Sequence, residues 1–89
     1  MKSLPGHVQQ YSTSPVFTED TVPKGLLKVH NTKSGVWGLI CVSEGELDYI
    51  IEDKEKIILN PENKGVVEPE VKHHIKPRGA VSFFIEFYK

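Results

Sequence analysis

From Leu26 onward the chain is written almost wholly in apolar runs too short to make a helix of ordinary length. The runs are L-L-K-V-H-N-T, G-V-W-G-L-I-C-V, E-L-D-Y-I-I-E, K-I-I-L, G-V-V-E, H-H-I-K and V-S-F-F-I-E-F-Y. Each is rich in Val, Ile, Phe and Tyr, the residues that fit a pleated, half-buried surface. Between them stand S-G, S-E-G, E-D-K-E, N-P-E-N-K-G, P-E-V-K and P-R-G, which are turn sequences. No stretch of a dozen residues holds a helical period. Strands at this spacing predict an all-β fold, an antiparallel sandwich or small barrel. Ser43-Glu44-Gly45 predicts a tight hairpin in which Gly45 takes a positive φ. Pro15 to Asp20 predicts a further short strand, followed by a turn through Pro23 and Gly25.

The last run carries one carboxylate, Glu86, among Phe83, Phe84, Ile85, Phe87 and Tyr88. An unpaired buried charge costs several kcal/mol, so Glu86 either points to water or meets a cation. Two readings follow. In one, the strand has two faces, with Phe83, Ile85 and Phe87 in the core and Ser82, Phe84, Glu86 and Tyr88 on a partly wet side. In the other, Glu86 points into a pocket and meets a metal or a basic side chain.

A chain of 89 residues predicts one domain with a limited core, which a second copy would help to complete. Residues 1–15 are polar and follow neither period, so they read as an amino-terminal arm ahead of a single domain over residues 16–89. A net charge of -1 gives no electrostatic case for nucleic acid or an anionic membrane. The single cysteine, Cys41, excludes an intramolecular disulfide framework and suits a reducing compartment. It lies in an apolar run, where an inert buried thiol is the usual outcome. The start of the chain lacks the apolar core of a secretory signal, and no run reaches the length of a membrane span. A cytoplasmic location is the expectation.

The histidines are His7, His30, His73 and His74. His7 falls in the arm and reads as solvated. His73 alternates with Ile75, which makes it the inward candidate of the adjacent pair, while His74 shares its face with Lys76. His30 shares its alternation with Leu26 and Lys28, a mild argument that it looks to solvent. Two imidazoles and a carboxylate from separate strands form a set that zinc, iron(II) or manganese accepts, with positions left open for water or substrate. No serine sits in a G-x-S-x-G context, and no G-x-G-x-x-G or Walker sequence is present.

Four blocks in order, V-H-N-T-K-S-G-V-W-G, V-S-E-G-E-L-D-Y, G-V-V-E-P-E-V-K-H-H-I-K-P and F-F-I-E-F-Y, resemble the small cupin-like proteins of the TehB/YeaR-like family. That family is related to the amino-terminal domain of some tellurite-resistance TehB proteins. The resemblance covers about Val16 to Lys89 and implies a cupin-like double-stranded β-helix with an internal pocket, and a homodimer. The second cupin motif, a proline turn leading to a histidine and an apolar residue two positions on, is matched by Pro69, His73 and Ile75. The first motif ends at Gly45, but its H-x-H and glutamate are absent, their positions falling near Thr32, Ser34 and Gly38.

Carried onto a cupin barrel, the strands bearing His30, His73 and Glu86 converge on one cavity. The resemblance therefore implies a divalent-metal site of these three residues, zinc first, with iron(II) or nickel as alternatives. Trp37 and Tyr49 are candidates to line the pocket, or else plain core. The expected function is a stand-alone module that binds a metal or small-molecule ligand, linked by resemblance to tellurite or oxidative-stress resistance and lacking the methyltransferase part. Two alternatives are a metal-dependent cupin dioxygenase or isomerase, and a metal-free interaction or sensor domain.

Overall fold

The computed structural model describes residues 1–89, and turn chemistry cuts them into eight strands and one helical turn. In order these are β1 (Gln10–Thr13), β2 (Phe17–Thr18), α1 (Lys24–Leu27), β3 (Trp37–Glu44) and β4 (Leu47–Ile51). There follow β5 (Glu55–Leu59), β6 (Gly65–Val67), β7 (His73–Pro77) and β8 (Ser82–Tyr88). All strand pairs are antiparallel. One sheet runs β1-β8-β3-β6, with β2 following β1 along the same edge of β8. The other runs β5-β4-β7. The all-β expectation holds, and the arrangement is a cupin-like double-stranded β-helix of two facing sheets.

Alternation decides what each sheet gives to the space between them. On β8, Phe83 and Ile85 are opposite Val42 and Ile40 of β3, and these four contribute to the interior. The second sheet answers with Leu47, Tyr49 and Ile51 of β4, Leu59 of β5 and Ile75 of β7. The intervening residues pair on the outward face: Trp37 with Tyr88, Leu39 with Glu86 and Cys41 with Phe84. The β3–β4 hairpin turns at Gly45 with φ of 81°, where a Cβ would collide with the Ala80 carbonyl oxygen.

Two local expectations meet a different chain. Residues 10–13, placed within a lead-in arm, form β1 and pair with β8 from Thr13↔Glu86 to Gln10↔Tyr88. Their side chains are all exposed, so no apolar period announces them; what holds them is the row of unpaired backbone groups along β8. The run Leu26–Thr32 is not a strand. Pro23 accepts from the Leu26 amide and starts the helical turn α1, after which the chain continues extended, touching its neighbours at His30↔His73 and Thr32↔Pro69. A single helical turn resets the period from 2 to 3.6, so the facing of His30 cannot be counted from Leu26.

Candidate functional site

His73 opens β7 and points inward with Ile75, as the alternation of H-H-I-K requires, and it is 4% exposed. The segment leaving α1 reaches it through two backbone hydrogen bonds, His30 N–H to His73 O at 2.9 Å and His73 N–H to His30 O at 2.8 Å. Directly opposed residues of an antiparallel bridge project to the same side. The two rings accordingly meet, centroids 4.2 Å apart and tilted by 56°. Each Nδ1 lies 2.8 Å from the carbonyl oxygen two residues earlier, Lys28 for His30 and Val71 for His73. A carbonyl only accepts, so each Nδ1 donates, and in the neutral imidazole each Nε2 then presents a lone pair. No protein hydrogen bond engages either Nε2.

The pair borders a cavity of about 230 Å³ whose other walls are mainly apolar, including Leu26, Ile40, Val67, Ile75, Ile85 and Phe87. Thr32 and Gly38, near the positions where the first cupin motif would place its ligands, line it as well. Thr32 turns its hydroxyl to the Glu68 carbonyl. Tyr49 supports His73 from the core side, ring edge to ring at 5.8 Å and 85°, and donates its hydroxyl to Val66 O at 2.9 Å. Burial pushes that hydroxyl's pKa well up, so it stays a donor.

The structure brings His30 and His73 together and leaves Glu86 apart. Ile85 and Phe87 line the cavity, so Glu86 between them is on the other face of β8, the first of the two readings of this strand. There its carboxylate accepts from Tyr88 Oη at 3.2 Å and from Cys41 Sγ at 3.8 Å. Trp37 is on that outward face too, opposite Tyr88, and Tyr49 is buried core; neither lines the cavity. His74 turns away from the cavity to Glu52, and His7 is exposed. No third His, Cys, Asp or Glu groups with the two imidazoles, so the donors present do not fit the expected three-ligand metal site. The residues that sequence reasoning passed over are Leu26, Asn31 and the wall formed by Ile85 and Phe87. Alternation around Glu86 was the available signal for the last two.

Burial lowers the pKa of His73, with the neighbouring imidazoles of His30 and His74 adding to the effect and the Val71 carbonyl and Glu52 opposing it. The folded protein therefore binds this proton less readily than the unfolded chain, whose histidines titrate near 6.5. Stability contributed this way is complete above that pH and falls as pH drops through it, by up to about 1.4 kcal/mol per unit until the folded pKa is reached. Urea denaturation from pH 7.5 to 5 should show the decline in the wild type and a flatter profile in His73→Leu. Glu19, held below the ordinary carboxylate range by the Val81 amide, loses its contribution mainly as pH falls through 4.5 and below, and both proteins share it. Equal slopes for the two proteins would remove His73 as the cause.

A family model described as TehB-like domain matches residues 12–85. The chain is 35% identical over 72 residues to a probable S-adenosyl-L-methionine-dependent methyltransferase TehB of Haemophilus influenzae, covering 74% of this chain and 25% of that protein. It thus spans about a quarter of the length of the curated relatives it matches. The crystal structure of TehB from Haemophilus influenzae superposes with a TM-score of 0.86 at 28% identity, over 93% of this chain and 32% of that one. A protein of Escherichia coli superposes at 0.91 with 22% identity, over 100% of this chain and 97% of its own. A cupin-2 domain containing protein of Shewanella frigidimarina, 16% identical with a TM-score of 0.59 over 94% of this chain and 72% of its own, shares the fold. With the domain match spanning most of its strands, the chain belongs to the TehB-like family.

Proposed function

We propose that this TehB-like chain is a ligand-binding module whose cavity takes a small, mainly apolar molecule that donates a hydrogen bond to the His30–His73 pair. The observation that carries the reading is the pair itself: two imidazoles on an apolar cavity, Nδ1 tied to backbone, with no protein donor on Nε2. A polar group in such surroundings gains most when a ligand completes its hydrogen bonding. A cavity of 230 Å³ admits roughly ten heavy atoms, scaled from a 150 Å³ cavity that holds benzene. A resident zinc, iron(II) or nickel, and with it a dioxygenase or isomerase, is best served by a third His, Cys, Asp or Glu ligand, and none lines the cavity beside His30 and His73.

The test is a pair of measurements. Elemental mass spectrometry on untagged protein should find well under one metal per chain, and calorimetry should find binding of compact neutral donors such as phenol or cyclohexanol. Ile85→Phe, which adds volume to a half-buried cavity wall, should weaken that binding by about tenfold. Near-stoichiometric metal that disappears in His73→Ala would replace this reading with a metal centre. The proposal retains the homodimer, for which sedimentation equilibrium at a single 10.1 kDa mass would count against it. A role in tellurite or oxidative-stress resistance, in the cytoplasm, is the biological setting proposed. It predicts that loss of the chain sensitises cells to tellurite or peroxide.

A further inference from the structure

The cavity does not stand alone. A hollow of about 400 Å³ adjoins it, sharing Leu26, His30, Ile85 and Phe87 and extending to Phe17 and Pro23. Another of about 330 Å³ adjoins it through Asn31, Thr32 and Phe87 and extends to Ser12 and Lys33. Phe87 borders all three, so they form one groove with a graded character. One end is apolar, the middle carries the imidazole pair, and the far end is the most polar of the three. No carboxylate lines any part of it, and Lys33 is its single permanently charged side chain. Beside that end the Lys89 ammonium lies 4.3 Å from the centre of the Tyr11 ring, which also lines the polar hollow.

Each third of the groove asks for a different part of one molecule. Apolar walls recover hydrophobic free energy from an aliphatic tail. The bare Nε2 acceptors ask for a hydroxyl donor. A cationic end without a carboxylate favours an anionic head. Resting on the reading that the cavity binds a small ligand, we propose that the groove takes an aliphatic hydroxy-carboxylate of about eight carbons. Its tail lies along Phe17, Leu26 and Ile85, its hydroxyl meets the His30–His73 pair, and its carboxylate faces Lys33. The substrate class of the site is thereby a medium-chain hydroxy acid.

Calorimetry on the full chain decides it, with butanoate, octanoate, 3-hydroxyoctanoate, octylammonium and 1-octanol as probes, all below their micelle concentrations. Affinity should rise about fourfold per methylene from butanoate towards octanoate, the value of burying each CH₂. Octanoate should bind more tightly than octylammonium, and 3-hydroxyoctanoate about three- to tenfold more tightly than octanoate. Lys33→Gln, an exposed change, should weaken all three carboxylates about two- to fivefold and leave 1-octanol unchanged. Equal binding of octanoate and octylammonium, or no gain from the hydroxyl, overturns the proposal. Binding of phenol or cyclohexanol without any carboxylate binding overturns it while leaving the ligand-binding module intact, and no binding by any probe overturns both.

Discussion

Tyr49→Ala should destabilise the protein by about 4 kcal/mol or more, a large share of the 5–15 kcal/mol that holds a domain of this kind folded. Tyr49 is 1% exposed at the centre of the cluster formed by Leu47, Ile51, Leu59 and Ile75. Removing the ring leaves a cavity between the two sheets, takes the edge support from His73, and strands the Val66 carbonyl that the hydroxyl now serves. Tyr49→Phe separates the parts, since it keeps the ring and loses only the hydrogen bond. It should cost about 1–2 kcal/mol. Urea denaturation gives both values, and a Tyr49→Ala cost no greater than that of Tyr49→Phe would show that the ring is not what fills the core.

Gly65→Val should cost about 3 kcal/mol, through overpacking and not through backbone strain. Gly65 opens β6, the edge strand of the larger sheet, where it pairs with Ile40. A Cβ there would stand 2.7 Å from Leu59 Cδ1 and 3.0 Å from Tyr49 Cδ2. Both neighbours are essentially inaccessible and have no solvent to move into, so the strain falls on the packing of the two sheets. Gly65→Ala should show about half the effect. Chemical denaturation of the three proteins tests this, and a Gly65→Val variant as stable as wild type would mean that β6 shifts outward at little cost.

The strands from β3 to β8 were legible because each is short, two-faced and bounded by turn residues, so pattern and punctuation agree. β1 was not, since its residues bury nothing and are held by backbone pairing with a strand more than seventy residues away. The facing of Glu86 was open in the sequence only because its run is apolar on both sides. Once Ile85 and Phe87 line the cavity, alternation places the carboxylate with Tyr88 and Cys41. His30 could not be assigned at all by counting, because α1 breaks the phase between Leu26 and the bridge to His73.

By itself, the sequence determined an all-β domain, the place of its main turns and the inward facing of His73, because these follow from a two-residue period and local turn chemistry. Tertiary structure alone decided that His30 lies against His73, that Glu86 is turned away from them, and that the cavity adjoins a hollow bordered by Lys33. The reason is one of range. Alternation states which side of a strand a residue takes, but which strands share a space is settled by pairings between segments tens of residues apart.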